Sequence, residues 1–158
     1  MKATFSFLFI LVFLDSYSQD VLKIKQIDSI VSCSNASIVP VQRDTIFQDR
    51  PELQLKMTTY LTMLVDSNEL IKYVNHVNTT MAENGNTRQM TTSSSFYYFH
   101  NHLIKVEEYL IEGDNKKNMD WYYSDDKPLY YTLKSDKAEG RAELLLTISK
   151  TMLKQVIK

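Results

Sequence analysis

Cysteine and glycine are scarce in this chain, and each scarcity removes a class of answer. A single cysteine, Cys33, has no second cysteine to bridge to, so packing alone must hold the fold. Three glycines leave little room for a phosphate-cradling loop or a G-x-S-x-G nucleophile elbow. An excess of positive charge is missing as well. Eighteen Lys and Arg stand against nineteen Asp and Glu, for a formal net charge of −1, so the basic footprint of a nucleic-acid binder is not there. The apolar run from Phe5 to Leu14 is about ten residues, half of the ~20 that a membrane-spanning helix needs.

That short run has another meaning at the start of the chain. "MKATFSFLFILVFLDSYSQD" joins a basic residue, Lys2, an apolar stretch and a small-x-small site at Ser16 and Ser18. This is the grammar of a secretory leader, with cleavage expected between Ser18 and Gln19. The expectation is a secreted or periplasmic protein with no membrane span after cleavage, in which 1–18 is the leader and 19–158 one domain. About 140 residues suffice for a single core. Cys33 lies in "SIVSCSNA", which superficially suits lipid attachment. Asp20, Lys23, Lys25 and Asp28 separate it from the apolar run, so no lipid anchor is expected. Asn-x-Ser/Thr tripeptides at Asn35 and Asn78 would be glycosylation acceptors only in a eukaryotic pathway.

From Asp20 to about Ser34, Val21, Leu22, Ile24, Ile27, Ile30 and Val31 recur at steps of three and four, which predicts an amphipathic helix. "VPVQRDTIF" reads as a short extended segment with Pro40 suited to an edge, and Arg50-Pro51 as a turn. Three hairpins follow, each an aromatic or β-branched strand, an Asn/Asp turn and a strand opening on leucine. They turn at Asp66-Ser67-Asn68, at His100-Asn101 and at Asp125-Asp126, with Leu70, Leu103 and Leu129 as the equivalent leucines. "LIK" recurs after the first two turns. "AENGNTRQMTTSSS" and "EGDNKKN" read as polar connectors. The last segment predicts a helix with Asp136 as N-cap, Glu139 completing a capping box, and Leu145, Ile148, Met152 and Val156 along one face. The fold class is therefore α+β: an N-terminal helix, an antiparallel meander of about six strands, and a C-terminal helix packed on one face of the sheet.

Strict alternation in "LIKVEEYLI" puts Ile104, Val106 and Leu110 on one side and Leu103, Lys105, Glu107 and Tyr109 on the other. The first side looks aliphatic, suited to covering by both helices. Trp121 and Tyr123 share a side, with Tyr122 opposite. The candidate ligand-binding residues are Tyr97, Tyr109, Trp121, Tyr123 and Tyr131, an aromatic set fit for a protein, peptide or envelope ligand. His100 and His102 straddle a turn, which spoils them as a metal pair, and Glu107 and Glu108 face opposite ways, which spoils them as an acid/base pair. No catalytic constellation, metal site or cofactor is expected.

"YYFHNHLIKVEEYLI" and "DWYYSDDKPLYYTLK", after a leader and a short helix, resemble small secreted proteins of unknown function from Bacteroidota-type bacteria. A looser similarity is to PepSY-like and β-lactamase-inhibitor-like periplasmic domains, and neither carries over a functional residue. The first expectation is thus an exported non-enzymatic binding domain using its aromatic sheet. The second is a carrier holding a small apolar ligand between sheet and C-terminal helix.

Overall fold

The structure, a computed structural model, describes residues 3–36, 41–66, 69–83 and 86–156, with side chains at 19–35, 43–66, 69–82 and 86–154. The side chains of the expected leader, 1–18, lie outside it, as do Pro40, Ser67 and Asn68. Helix α1 (Ala3–Ala36) leads into strands β1 (Val41–Arg50), β2 (Leu55–Asp66), β3 (Glu69–Glu83), β4 (Asn86–Phe99), β5 (His102–Glu112), β6 (Asn115–Ser124) and β7 (Lys127–Tyr131). Helix α2 (Ala138–Val156) closes the chain, and a 3-10 turn, Pro51–Leu53, separates β1 from β2. The seven strands form one antiparallel sheet in chain order, so the α+β meander expected from the sequence is what the chain adopts. Among the described residues no helix is long and apolar enough to cross a membrane.

The hairpins share one construction. His100, Asn101, Asp125 and Asp126 all have φ between 49° and 63°. Positive φ at both central residues is what a two-residue type I′ turn requires, and Asn and Asp tolerate it better than other side chains. Three residues past each turn the ladder slips. Leu64 pairs with Lys72 but Val65 with Leu70, leaving Ile71 as an extra residue. Tyr97 and Tyr98 pair with Lys105 and Leu103, leaving Ile104. Tyr122 and Tyr123 pair with Tyr130 and Pro128, leaving Leu129. The recurring "LIK" is therefore a β-bulge: leucine on one face, an extra isoleucine, then lysine on the other. Leu129 is the equivalent of Ile71 and Ile104, so the third hairpin is offset by one from the sequence alignment that matched it to Leu70 and Leu103.

The bulge corrects the predicted faces. Leu103, not Ile104, joins Val106 under α2, while Ile104 packs with the residues under α1. The two helices consequently cover opposite faces instead of sharing one. Ala138, Ala142 and Leu145 of α2 close over Leu70, Tyr73, Phe96, Tyr98, Val106, Trp121 and Tyr123. Ile27 and Val31 of α1, with Ile24 beside them, close over Tyr97, Tyr122, Ile104 and Leu129. This explains the consecutive buried runs Phe96-Tyr97-Tyr98 and Trp121-Tyr122-Tyr123, which a sheet with one wet face would not bury.

Two other expectations change. Residues read as the connectors "AENGNTRQMTTSSS" and "EGDNKKN" are mostly strand, because the β3–β4 and β5–β6 ladders run on through them, and the β-branched threonines of the first suit a strand. Helix α2 begins at Ala138, so Asp136 is not its N-cap; the Asp136 carboxylate instead accepts from Ser135 Oγ at 3.1 Å.

Candidate functional site

The five aromatics do not form one surface. Register places Tyr97 and Tyr109 on the α1 face and Trp121, Tyr123 and Tyr131 on the α2 face. Tyr97, Trp121 and Tyr123 are 2 %, 0 % and 1 % exposed, so their rings build the two cores. Runs of aromatics on adjacent strands point both ways, and each way meets a helix. Tyr109 and Tyr131 remain half-buried.

Beneath α1 the bulges line up a ladder across β3 to β7: Lys72, Tyr97, Lys105, Tyr122, Tyr130. Lys72 Nζ stands 4.7 Å from the Tyr97 ring centre and Lys105 Nζ 4.9 Å from that of Tyr122. Two helix residues clasp this ladder. Asn35 Oδ1 accepts from Lys72 Nζ at 2.7 Å, and Asp28 accepts from Lys105 Nζ at 2.9 Å and Tyr122 OH at 3.0 Å. Seven residues advance an α-helix by about 10.5 Å, close to the roughly 9.6 Å between alternate strands, so one helix face meets β3 and β5 in step. Glu107 completes the cluster, 3.0 Å from Lys105 Nζ and accepting from Tyr97 OH at 2.8 Å.

Burial would lower the Lys105 pKa, but its bonds to Asp28 and Glu107 outweigh that and hold it above the ordinary lysine value. Tyr97 is pushed up to about 12, by burial first and then by its bond to Glu107. Burial pulls Lys72 down and lifts the Asp120 carboxyl, which the charge of Lys105 partly opposes. Lys72, Lys105, Asp28 and Glu107 each have a partner in α1 or the sheet, and the arrangement serves as a helix dock. Lys105→Met keeps the apolar stem but leaves Asp28 and Glu107 facing each other. Because both carboxylates keep substantial exposure, we expect a loss of about 1.5–3 kcal/mol, below the range for a fully buried pair. Urea unfolding would measure it, and a loss below about 0.5 kcal/mol would show that the apolar contacts of Ile27 and Val31 dock α1 unaided.

On the other face a cleft of about 400 Å³ opens beside the first turns of α2. Leu110, Met119, Leu133 and Trp121 line its apolar part, and Thr92, Ser93, Lys137 and Arg141 are also in its wall. Glu108, 8 % exposed, accepts from Arg141 Nε at 3.1 Å and pairs with its Nη2, and this bond outweighs the lowering effect of burial and raises the Arg141 pKa. Two cations against one carboxylate leave the rim with one surplus positive charge, at Lys137. The Trp121 indole N–H is buried without a hydrogen-bond partner, an uncommon condition for a buried donor. The sequence marked Trp121 and Tyr109, both in the wall of this cleft, but not the cleft itself. Its other walls come from β4, in a stretch read as a connector, from β5 and β6, and from the start of α2 with the segment before it.

Other concavities differ in kind. A hollow of about 370 Å³ lies between α1 and the turns at His100 and Asp125. There His100 Nδ1 stands 3.4 Å from Glu69 and His102 Nδ1 3.5 Å from Asp126, each histidine with its own carboxylate. Among the described residues no group of three His, Cys, Asp or Glu is placed to hold a metal. An open hollow of about 820 Å³ at the Gly113-Asp114 turn holds Arg88, already paired with Glu112. In comparisons with family models, curated proteins and solved structures, none matches this chain.

Proposed function

We propose that this chain is an exported, non-enzymatic binding domain, and that its ligand is a small amphipathic anion carried in the cleft beside α2. Export rests on the leader pattern at the N-terminus. Of the two expectations raised by the sequence, the carrier gains and the aromatic surface loses, since three of the five rings meant for that surface, Tyr97, Trp121 and Tyr123, are buried. The observation that carries the proposal is the cleft itself. An apolar floor and a rim with surplus positive charge converge in one concavity of about 400 Å³, with Trp121 in its wall. An acyl chain would cover Leu110, Met119 and Leu133, and its carboxylate would pair with Lys137.

Trp121 is the chain's sole tryptophan, so its fluorescence reports on the cleft directly. Titration with decanoate is expected to change the emission saturably, and decanol, which lacks the charge, to bind more weakly. Lys137→Ala should weaken decanoate about fivefold, the equivalent of one exposed ion pair near 1 kcal/mol. No saturable change up to millimolar decanoate, or equal affinity for decanol, would remove the basic rim from the account.

A further inference from the structure

The two edges of the sheet are built differently. β7 is five residues long, carries Pro128 and the Leu129 bulge, and so offers little to an incoming strand. β1 is ten residues long, pairs with β2 without a register shift, and holds no proline. Every described side chain in it, Arg43 to Arg50, is exposed, including Ile46 at 46 % and Phe47 at 65 %. An edge like this recruits strands unless its charges repel them.

The charges of β1 are arranged to attract a copy of themselves. Its sequence "RDTIFQDR" reads plus, minus, four uncharged residues, minus, plus. When two copies pair antiparallel about a two-fold axis normal to the sheet, opposed residues share a face, so their numbers sum to an even value. The register that would set Arg43 against Arg50 and Asp44 against Asp49 sums to an odd value and is forbidden. Centring the axis on Ile46 sets Arg43 against Asp49 of the second copy, twice by symmetry. The same register sets Phe47 against Thr45, Asp44 against Gln48 and Ile46 against itself. It also uses the whole strand from 42 to 50, whereas centring on Phe47 runs Arg43 into Pro51 and the 3-10 turn.

We propose that β1 is a homodimerisation edge, joining two copies through an Ile46-centred antiparallel pair into one continuous sheet of fourteen strands, twice the seven of one copy. Asp49 then sits between Lys56 of its own chain, at 3.9 Å, and Arg43 of the second. The surface is independent of the α2 cleft, so dimerisation and ligand binding stand or fall separately.

Sedimentation equilibrium over a concentration series tests this. The protein is expected to be a concentration-dependent dimer. Arg43→Asp and Asp49→Arg each turn two attractive cross-strand pairs into repulsive ones, and each should raise the dimer Kd about tenfold or more. In an equimolar mixture of the two variants, one copy carries aspartate at both positions and the other carries arginine at both. Both cross-strand pairs are then attractive again, and the mixture should recover the wild-type affinity as a heterodimer. All these positions are exposed, so circular dichroism should be unchanged. A monomer at every concentration, or single variants that dimerise like the parent, would overturn the proposal. So would a mixture no tighter than its components. Asp44→Arg, opposite Gln48, should leave the Kd within about threefold; a tenfold weakening would overturn the Ile46-centred register.

Discussion

Replacing Trp121 with alanine is expected to cost about 3–5 kcal/mol, the range for deleting a large aromatic side chain from a packed core. Trp121 is wholly buried, stands opposite Val106 in the ladder, and lies 5.6 Å from the Tyr131 ring, with Ala138 and Ala142 of α2 in the same cluster. Those alanines are already the smallest side chains that a helix can bring against a sheet, so they cannot grow into the space. The cavity therefore stays largely open. Single domains are commonly stable by about 5–15 kcal/mol, so this one change would bring the fold near its threshold. Trp121→Phe makes the argument discriminating. Its indole N–H has no partner to lose, so the phenylalanine variant should lose about 1–2 kcal/mol from volume alone. Urea unfolding followed by circular dichroism gives both values. A phenylalanine variant as damaged as the alanine one would mean that the indole N–H has a partner, such as a buried water.

Much of this fold is legible because its turns are chemically marked. His100-Asn101 and Asp125-Asp126 sit where positive φ is needed, so the second and third hairpins follow from the sequence with their centres correct. The faces were harder to read. Alternation holds until a bulge inserts one residue, and after Ile104 or Leu129 every side chain changes sides. Nothing in "LIK" announces a bulge, since leucine, isoleucine and lysine are ordinary strand residues. Only the recurrence at a fixed distance from the turn carries the signal, and it needs the paired strand to be interpreted. β4 escaped for another reason: Thr91 to Ser95 are small polar residues, half-buried in the structure, and show no apolar alternation to mark a strand. The cleft was illegible in principle. Its walls come from β4, β5, β6 and the segment leading into α2, distant in sequence and joined only by the register.

The same burial that removes the aromatics from the surface makes the fold sensitive to alkali. Burial raises the pKa of Tyr73, Tyr122 and Tyr123, and lifts Tyr97 and Tyr98 to about 12. An unfolded chain releases these protons near pH 10, whereas the native chain retains them. Between about pH 10 and 12 the native state thus binds more protons, and stability falls as pH rises. Lys105 adds in the same direction, because its folded value lies above the unfolded one and its contribution is lost as pH rises. Lys72, shifted down, acts oppositely but alone. Stability should accordingly collapse between pH 10 and 12, with the tyrosinate absorbance of these five buried rings rising in step with the loss of circular dichroism. Tyr98→Phe isolates the cause. The Tyr98 and Ser149 hydroxyls lie near one another without forming a hydrogen bond of good geometry, so removing one costs little at pH 7. It should move the alkaline midpoint upward by a few tenths of a pH unit, the share of one buried tyrosine among several. Ionisation of all ten tyrosines near pH 10 while the circular dichroism stays native would place these five rings in water and overturn the packing on both faces.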